Sequence, residues 1–274
     1  MNNLPREQKA QLIQGLCEGL SLRSASRLFG VHRTTIMKLL VRVGENCEQI
    51  MATHMKDVDV ERLEIDEIWT FCGKKQMRLK GHERRDPLLG DQYVFYGIDP
   101  VTKLVPVWEI GKRDGATALA FLNRLKGSLN GCRPQISTDA FAPYPDAIDA
   151  VFGTDVDYAS IRKEYASVPV GRGRYAPPKV TSVSKRVHMG DPDERYISTS
   201  ICERSNLTLR TFQRRFTRLS LGFSRKMENL IAAVALHFAY YNFVWIPRTI
   251  EATPAMMAGV TNRLWLIEDL IGDC

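Results

Sequence analysis

Two adjacent carboxylates, Asp66 and Glu67, stand in the middle of Glu61-Arg62-Leu63-Glu64-Ile65-Asp66-Glu67-Ile68-Trp69-Thr70-Phe71. The segment is otherwise rich in β-branched and aromatic residues and reads as a strand. Charges inside a half-apolar strand are generally paired or hold a metal. Structural ion pairs are common, so both readings stand on this segment alone. Strand alternation puts Leu63, Ile65, Glu67, Trp69 and Phe71 on one face and Glu64, Asp66, Ile68 and Thr70 on the other. It separates the two acids without saying which would be a ligand. A carboxylate at Glu67, on an otherwise apolar face, calls for a buried Arg or Lys beside it.

Two more acids stand at informative places. Asp139 follows Ile136-Ser137-Thr138 at the end of a second short strand, and Glu203 lies early in a helix, Ile201-Cys202-Glu203-Arg204-Ser205-Asn206-Leu207-Thr208-Leu209-Arg210. On that helix Leu209, Phe212 and Phe216 share an apolar face. Glu203 lies roughly half a rotation from Phe212, with Arg210 and Arg214 near its side. One carboxylate and a row of arginines suit a phosphate backbone with a metal nearby. Cutting or joining DNA is an in-line phosphoryl transfer, in which two divalent ions about 3.5–4 Å apart stabilise the attacking and leaving oxygens. Mg²⁺ takes hard oxygen ligands, and acids clustered without a metal would repel one another. With 31 acids in the chain, spacing alone does not single out this triple.

The chain has 274 residues, 44% of them hydrophobic, enough for one large domain and a small one. Its net charge of +7 agrees with a polyanionic partner, most simply nucleic acid. Six cysteines are scattered with no C-x-x-C pair, which argues against a structural zinc site. The first residues contain no apolar run of the signal-peptide kind. The longest apolar stretch, near Ile231–Trp245, contains His237 and Asn242 and is too short and polar to span a bilayer. A reduced, cytoplasmic and nucleoid-associated protein without a membrane segment is expected.

Taken in order, Arg6–Leu20 is a plausible helix. Ser21–Leu40 then resembles a helix-turn-helix, with small Ala25 and Ser26, Gly30 at the turn, and Phe29, Val31, Ile36 and Leu39 in the shared core. Its second helix would carry Arg33, Thr34, Thr35 and Lys38 outward, suitable for phosphates and base edges. A plain helical hairpin is the alternative. Residues 1–45 form this expected DNA-binding domain and residues 46–59 a helical linker. Gly73–Arg85, with Lys74 and Lys75, reads either as a solvated loop or as a β-hairpin tracking a phosphate backbone. Gln92–Ile98 and Leu104–Ile110 read as strands around the Asp99-Pro100 turn. Thr117–Leu129 is an amphipathic helix, Pro134–Thr138 a strand, Tyr144–Phe152 a helix and Val156–Ile161 a strand. The order is β-β-β-α-β-α-β, an α/β arrangement. Val168–Val187 reads as a basic loop, Ser198–Ser220 and Phe223–Phe243 as long helices, and residues 251–274 as a short helical tail on the core. His188, His237, Trp69 and Trp108 read as structural.

Three segments carry a resemblance: Ile65-Asp66-Glu67-Ile68-Trp69-Thr70-Phe71, Ser137-Thr138-Asp139-Ala140-Phe141-Ala142-Pro143-Tyr144, and Cys202-Glu203-Arg204-Ser205-Asn206-Leu207-Thr208-Leu209-Arg210. In this order they resemble the signature segments of a DDE transposase, nearest to the insertion-sequence-one type of bacterial mobile element. Arg214–Ser220, Phe223–Asn229 and Tyr240–Phe243 extend the resemblance, which covers roughly residues 60–260. It implies a ribonuclease-H-like catalytic domain over residues 60–250, with a mixed five-stranded sheet flanked by helices. It also implies that Asp66, Asp139 and Glu203 are catalytic metal ligands for Mg²⁺, with Mn²⁺ as the alternative ion. Double-stranded DNA, as element ends and target, is the expected partner. Two ends must be handled, so a homodimer or higher oligomer is expected. Better-known members carry a zinc-finger-like N-terminus. This chain has no zinc-ligand pairs, and the helix-turn-helix is its candidate for end recognition.

Three rivals differ in chemistry. A helix-turn-helix transcriptional regulator would have no use for three convergent acids, and a domesticated transposase that binds without cutting would not need the triad intact. A recombinase with a protein nucleophile would leave a covalent adduct on DNA.

Overall fold

In the computed structural model, which describes residues 4–167, 178–218 and 220–272, the chain begins with a run of helices. These are α1 (Arg6–Cys17), α2 (Leu22–Phe29) and α3 (Arg33–His54). The Ser21 hydroxyl accepts from the Ser24 N–H at 3.0 Å and caps α2. Gly30, at φ 66°, ends it in the left-handed conformation that glycine adopts without strain. Leu12, Ile13, Ala25, Ile36 and Leu40 are buried where these helices meet. α3 continues unbroken past residue 45 into the expected linker and ends at His54.

The strands are β1 (Arg62–Cys72), β2 (Gly90–Ile98) and β3 (Trp108–Gly111), followed by α4 (Gly115–Ser128), β4 (Gln135–Thr138), α5 (Tyr144–Phe152), β5 (Asp157–Ala166) and β6 (Lys179–Met189). Among the described residues they form one six-stranded sheet in the order β3-β2-β1-β4-β5-β6. β1 is antiparallel to β2 and parallel to β4, β4 is parallel to β5, and β5 is antiparallel to β6. The mixed sheet flanked by helices is compatible with a ribonuclease-H-like fold. Then come α6 (Ser200–Phe212), α7 (Met227–Phe243), α8 (Pro254–Met257) and α9 (Ile267–Ile271). α7 is apolar around most of its circumference and is buried between α3 and the sheet. The approach of α3 is close: a Cβ on Gly44 would lie 2.5 Å from Ala232. The N-terminal helices therefore share one continuous core with the sheet.

Three expectations are corrected, and for Gly73–Arg85 the loop alternative holds over the hairpin. The sheet has six strands and not five, because β6 occupies the second half of the expected basic loop; the first part, residues 168–177, lies outside the described residues. β6 is an exposed edge strand without a one-sided apolar pattern, so periodicity did not reveal it. The strand expected from Leu104 starts only at Trp108. Before it, Val105 exchanges both backbone hydrogen bonds with the Asn242 side chain, at 3.0 and 2.8 Å, which replaces a ladder partner. Gly73–Arg85 forms no hairpin. It folds into two 3₁₀ turns, Gln76–Arg78 and Gly81–Arg85, pinned by the Lys74–Glu83 ion pair and by Gln76 bonded to Asp91. The helix expected to reach Ser220 ends at Phe212, where the Thr208 and Thr211 hydroxyls bond back to Arg204 and Leu207 carbonyls.

Candidate metal centre

The site follows from strand lengths. β4 stops at Thr138, opposite Ile65, while β1 runs on to Cys72. Asp66 and Glu67 therefore lie where β1 has lost its parallel neighbour, and Asp139 is the first residue beyond β4. One carboxylate oxygen from each of Asp66, Glu67 and Asp139 lies within 4.8 Å of the others. The two adjacent acids project to opposite faces, as the pleat requires, and both reach the shared strand end.

On the α6 face, Asp66 accepts from Asn206 Nδ2 at 2.7 Å and from the Glu67 backbone N–H at 2.8 Å. Asn206 is in turn held by the Tyr96 hydroxyl at 3.0 Å. α6 is fixed to β1 by Glu64, whose Oε2 accepts from the N–H groups of Ile201 and Cys202 at 2.7 and 2.9 Å. Those groups are unpaired donors of the helix N-terminus, so a buried carboxylate is well placed there. On the α4–α5 face, Glu67 Oε1 accepts from Arg113 Nε at 2.6 Å and its Oε2 from the Tyr144 hydroxyl at 2.9 Å. Arg113 also reaches Asp139 Oδ2 at 3.4 Å, and the Phe141 N–H donates to Asp139 Oδ1 at 2.9 Å. The Glu67 side chain is only 2% exposed, and Arg113, half-exposed, is its cationic partner.

Burial, with repulsion from Glu67 and Asp139, pushes the Asp66 carboxyl up to about 7. Burial and Asp139 also raise Glu67, against the pull of Arg113 and Tyr144. An acid cluster that strains its own ionisation in this way is a fit for a divalent cation, and its all-oxygen donors suit a hard ion. Glu67 is already satisfied by Arg113 and Tyr144. Asp66 and Asp139 are the less committed donors.

Glu203 lines the same cavity of about 600 Å³ as Asp66, Asp139, Arg113, Arg162 and Lys163. It does not join the tight cluster. Its Oε1 accepts from Lys163 Nζ at 2.5 Å and from the Thr199 hydroxyl at 3.1 Å. Arg33, Thr34, Thr35 and Lys38 are exposed on the first turns of α3. Lys74 and Lys75 are exposed after β1, with Lys75 over the Trp69 ring at 5.7 Å. Arg210 is half-buried on α6 and feels the Asp66 charge, while Arg214 lies beyond the helix end. Sequence reasoning missed Arg113, Tyr144, Asn206 and Lys163. Asn206 and Tyr144 lay inside the resembling segments, and Arg113 and Lys163 carried no local signal.

No protein-family model matches the chain, and no curated protein matches it. Three solved structures of Mos1 transposase overlap it weakly. The paired-end complex with the left transposon end does so at a TM-score of 0.22 and 13% identity, over 55% of this chain and 58% of that one. The pre-cleavage transpososome gives 0.24 and 11%, over 58% and 60%. The strand transfer complex gives 0.21 and 13%, over 55% and 57%. The chain thus spans under two thirds of these proteins, and overlap this slight carries no weight for function. No helix among the described residues is long and apolar enough to cross a membrane.

Proposed function

We propose that this chain is a DNA transposase of the DDE kind, a metal-dependent polynucleotidyl transferase. The observation that carries the reading is the convergence of Asp66 and Asp139 where β4 ends beside the middle of the parallel strand β1, with Glu203 in the same cavity. Asp66, Asp139 and, after leaving Lys163, Glu203 would hold Mg²⁺ or Mn²⁺. Such an ion stabilises charge on the attacking and leaving oxygens of an in-line phosphoryl transfer. The chain's own residues prepare the site. Asn206 orients Asp66, while Arg113 neutralises Glu67 and steadies Asp139. Water, and then a DNA 3′-hydroxyl, would be the nucleophiles, so no covalent protein–DNA link forms. Arg33, Thr34, Thr35 and Lys38 would contact element-end DNA, and Lys74, Lys75, Arg210 and Arg214 the phosphate backbone. Handling two ends calls for at least a dimer.

The test is cleavage and strand transfer on DNA carrying the element's ends, with Mg²⁺ or Mn²⁺. D66N and D139N are isosteric, and each should reduce cleavage by more than the 10–100-fold typical of a lost outer-shell partner. Mn²⁺ binding, followed by electron paramagnetic resonance, should weaken in parallel. Cleavage that survives in both variants would sink the reading.

A further inference from the structure

A second concavity, of about 400 Å³, lies on the other side of the loop that follows β4. Its floor is one face of the β5–β6 hairpin. Tyr158, Ser160 and Arg162 alternate along β5, and across the ladder Ser160 faces Arg186 and Arg162 faces Ser184. Its wall is Asp139, Ala140, Phe141 and Ala142, which also border the acid cavity, as does Arg162. The two cavities are therefore neighbours separated by one short loop.

The floor is cationic and open. Arg162 and Arg186 are exposed, and among the described residues neither has a carboxylate partner. The nearest acid farther along this face, Glu164, accepts from the Ser182 hydroxyl at 2.8 Å. Arg162 and Arg186 are diagonal neighbours on antiparallel strands, so their Cα atoms lie about 7–8 Å apart. Two guanidinium forks at such a separation suit successive phosphates of one strand. His188 fixes the floor where the ladder is irregular. Its ring stacks on Tyr158 at 4.8 Å, and its Nε2 lies 2.8 Å from the Ser160 hydroxyl. Burial and the Arg186 charge lower its pKa, which favours the uncharged imidazole beside the arginines.

We propose that this face of the β5–β6 hairpin binds the phosphodiester backbone of a DNA strand as it leaves the acid cluster, with Arg162 and Arg186 each on a phosphate. The inference rests on the DNA reading of the acid cluster and deepens it: the strand passes over the Asp139–Ala142 loop, and Arg162 touches both sides of it. Ser160 and Ser184 add hydroxyl donors. No base edge is read by this set, so binding here is independent of sequence.

The experiment is fluorescence anisotropy of the full chain with a mixed-sequence DNA duplex across a salt series, without divalent metal. Each phosphate contact contributes about 0.9 to the slope of log K against log salt. R162Q and R186Q should each make the slope shallower by about 1, and R162Q/R186Q by about 2. R162K/R186K retains the charge and should retain the slope. Both side chains are exposed, so melting temperatures should match the parent. Unchanged slope and affinity in R162Q/R186Q would overturn the proposal, even where D66N abolishes cleavage. The opposite result, a shallower slope in R162Q/R186Q with cleavage intact in D66N, upholds the cleft and overturns the acid-cluster reading.

Discussion

Lys163 Nζ lies 2.5 Å from Glu203 Oε1, and Glu203 stands outside the acid cluster of Asp66, Glu67 and Asp139. Lys163 is 19% exposed and Glu203 47% exposed, so the pair is worth about 0.2–1 kcal/mol, as for exposed pairs generally. That is small enough for a bound cation to break. Removing the ammonium in K163M should free Glu203 to turn toward Asp66 and Asp139, and Mn²⁺ affinity should rise by up to about fivefold. E203Q should lower it, and K163M/E203Q should resemble E203Q alone. Equal affinity in K163M and the parent would mean that Glu203 never reaches the metal.

Asp66 ties stability to pH. Its folded value of about 7 lies above the ordinary carboxylate value of 3.8, so between these limits the folded metal-free chain binds more protons than the unfolded one. The stabilising contribution is complete below pH 3.8 and is lost as pH rises through 7. At higher pH the ionised carboxylate costs on the order of 4 kcal/mol. Asp66→Asn removes that penalty. Without divalent ions it should melt higher than the parent at pH 8 and nearly with it at pH 4. Added Mn²⁺ should raise the parent's melting temperature and leave D66N unmoved. A D66N chain that melts below the parent at pH 8 would show that the carboxylate is not strained.

The resembling segments singled out Asp66, Asp139 and Glu203 because a short motif travels with each acid; the fold brings the first two together and leaves Glu203 on Lys163 in the wall of the same cavity. The order of elements up to β5 was legible for a different reason: each is an apolar run that ends up buried, on both faces in β4, and turn residues separate the runs. β6 buries neither face and carries no such run. Arg113 and Lys163 were hidden for a third reason. Each acts on an acid from another strand or loop, and such a partner is set by register and strand length, which one sequence does not display. Glu67 shows the boundary. Strand alternation implied a cation beside it, and only the fold supplied Arg113.

Arg113 and Glu67 should be strongly coupled. Breaking a fully buried ion pair costs about 3–5 kcal/mol, and the 41% exposure of Arg113 reduces this to about 1–3 kcal/mol. R113M should destabilise by that amount, because Glu67 keeps only Tyr144. E67Q/R113M should recover much of the loss. A double-mutant cycle by urea denaturation measures the difference, and additive effects would mean that the contact contributes nothing.

Glu64 positions the face that carries Asn206 and Glu203. One oxygen, Oε2, takes the N–H groups of both Ile201 and Cys202, and Thr199 at the helix start supplies no side-chain cap of its own. E64A leaves those two donors unpaired in a site only 4% exposed at Glu64, a loss of about 2 kcal/mol. In a chain of this size that lowers the melting temperature by several degrees. Glutamine retains a carbonyl oxygen able to accept both bonds, so E64Q should stay near the parent. The functional consequence separates positioning from stability. With α6 loosened, Asn206 no longer fixes Asp66, so E64A should weaken Mn²⁺ binding at temperatures where the chain is fully folded, and E64Q should not. If E64A melts lower but binds Mn²⁺ as the parent does, Glu64 holds the helix without setting the site.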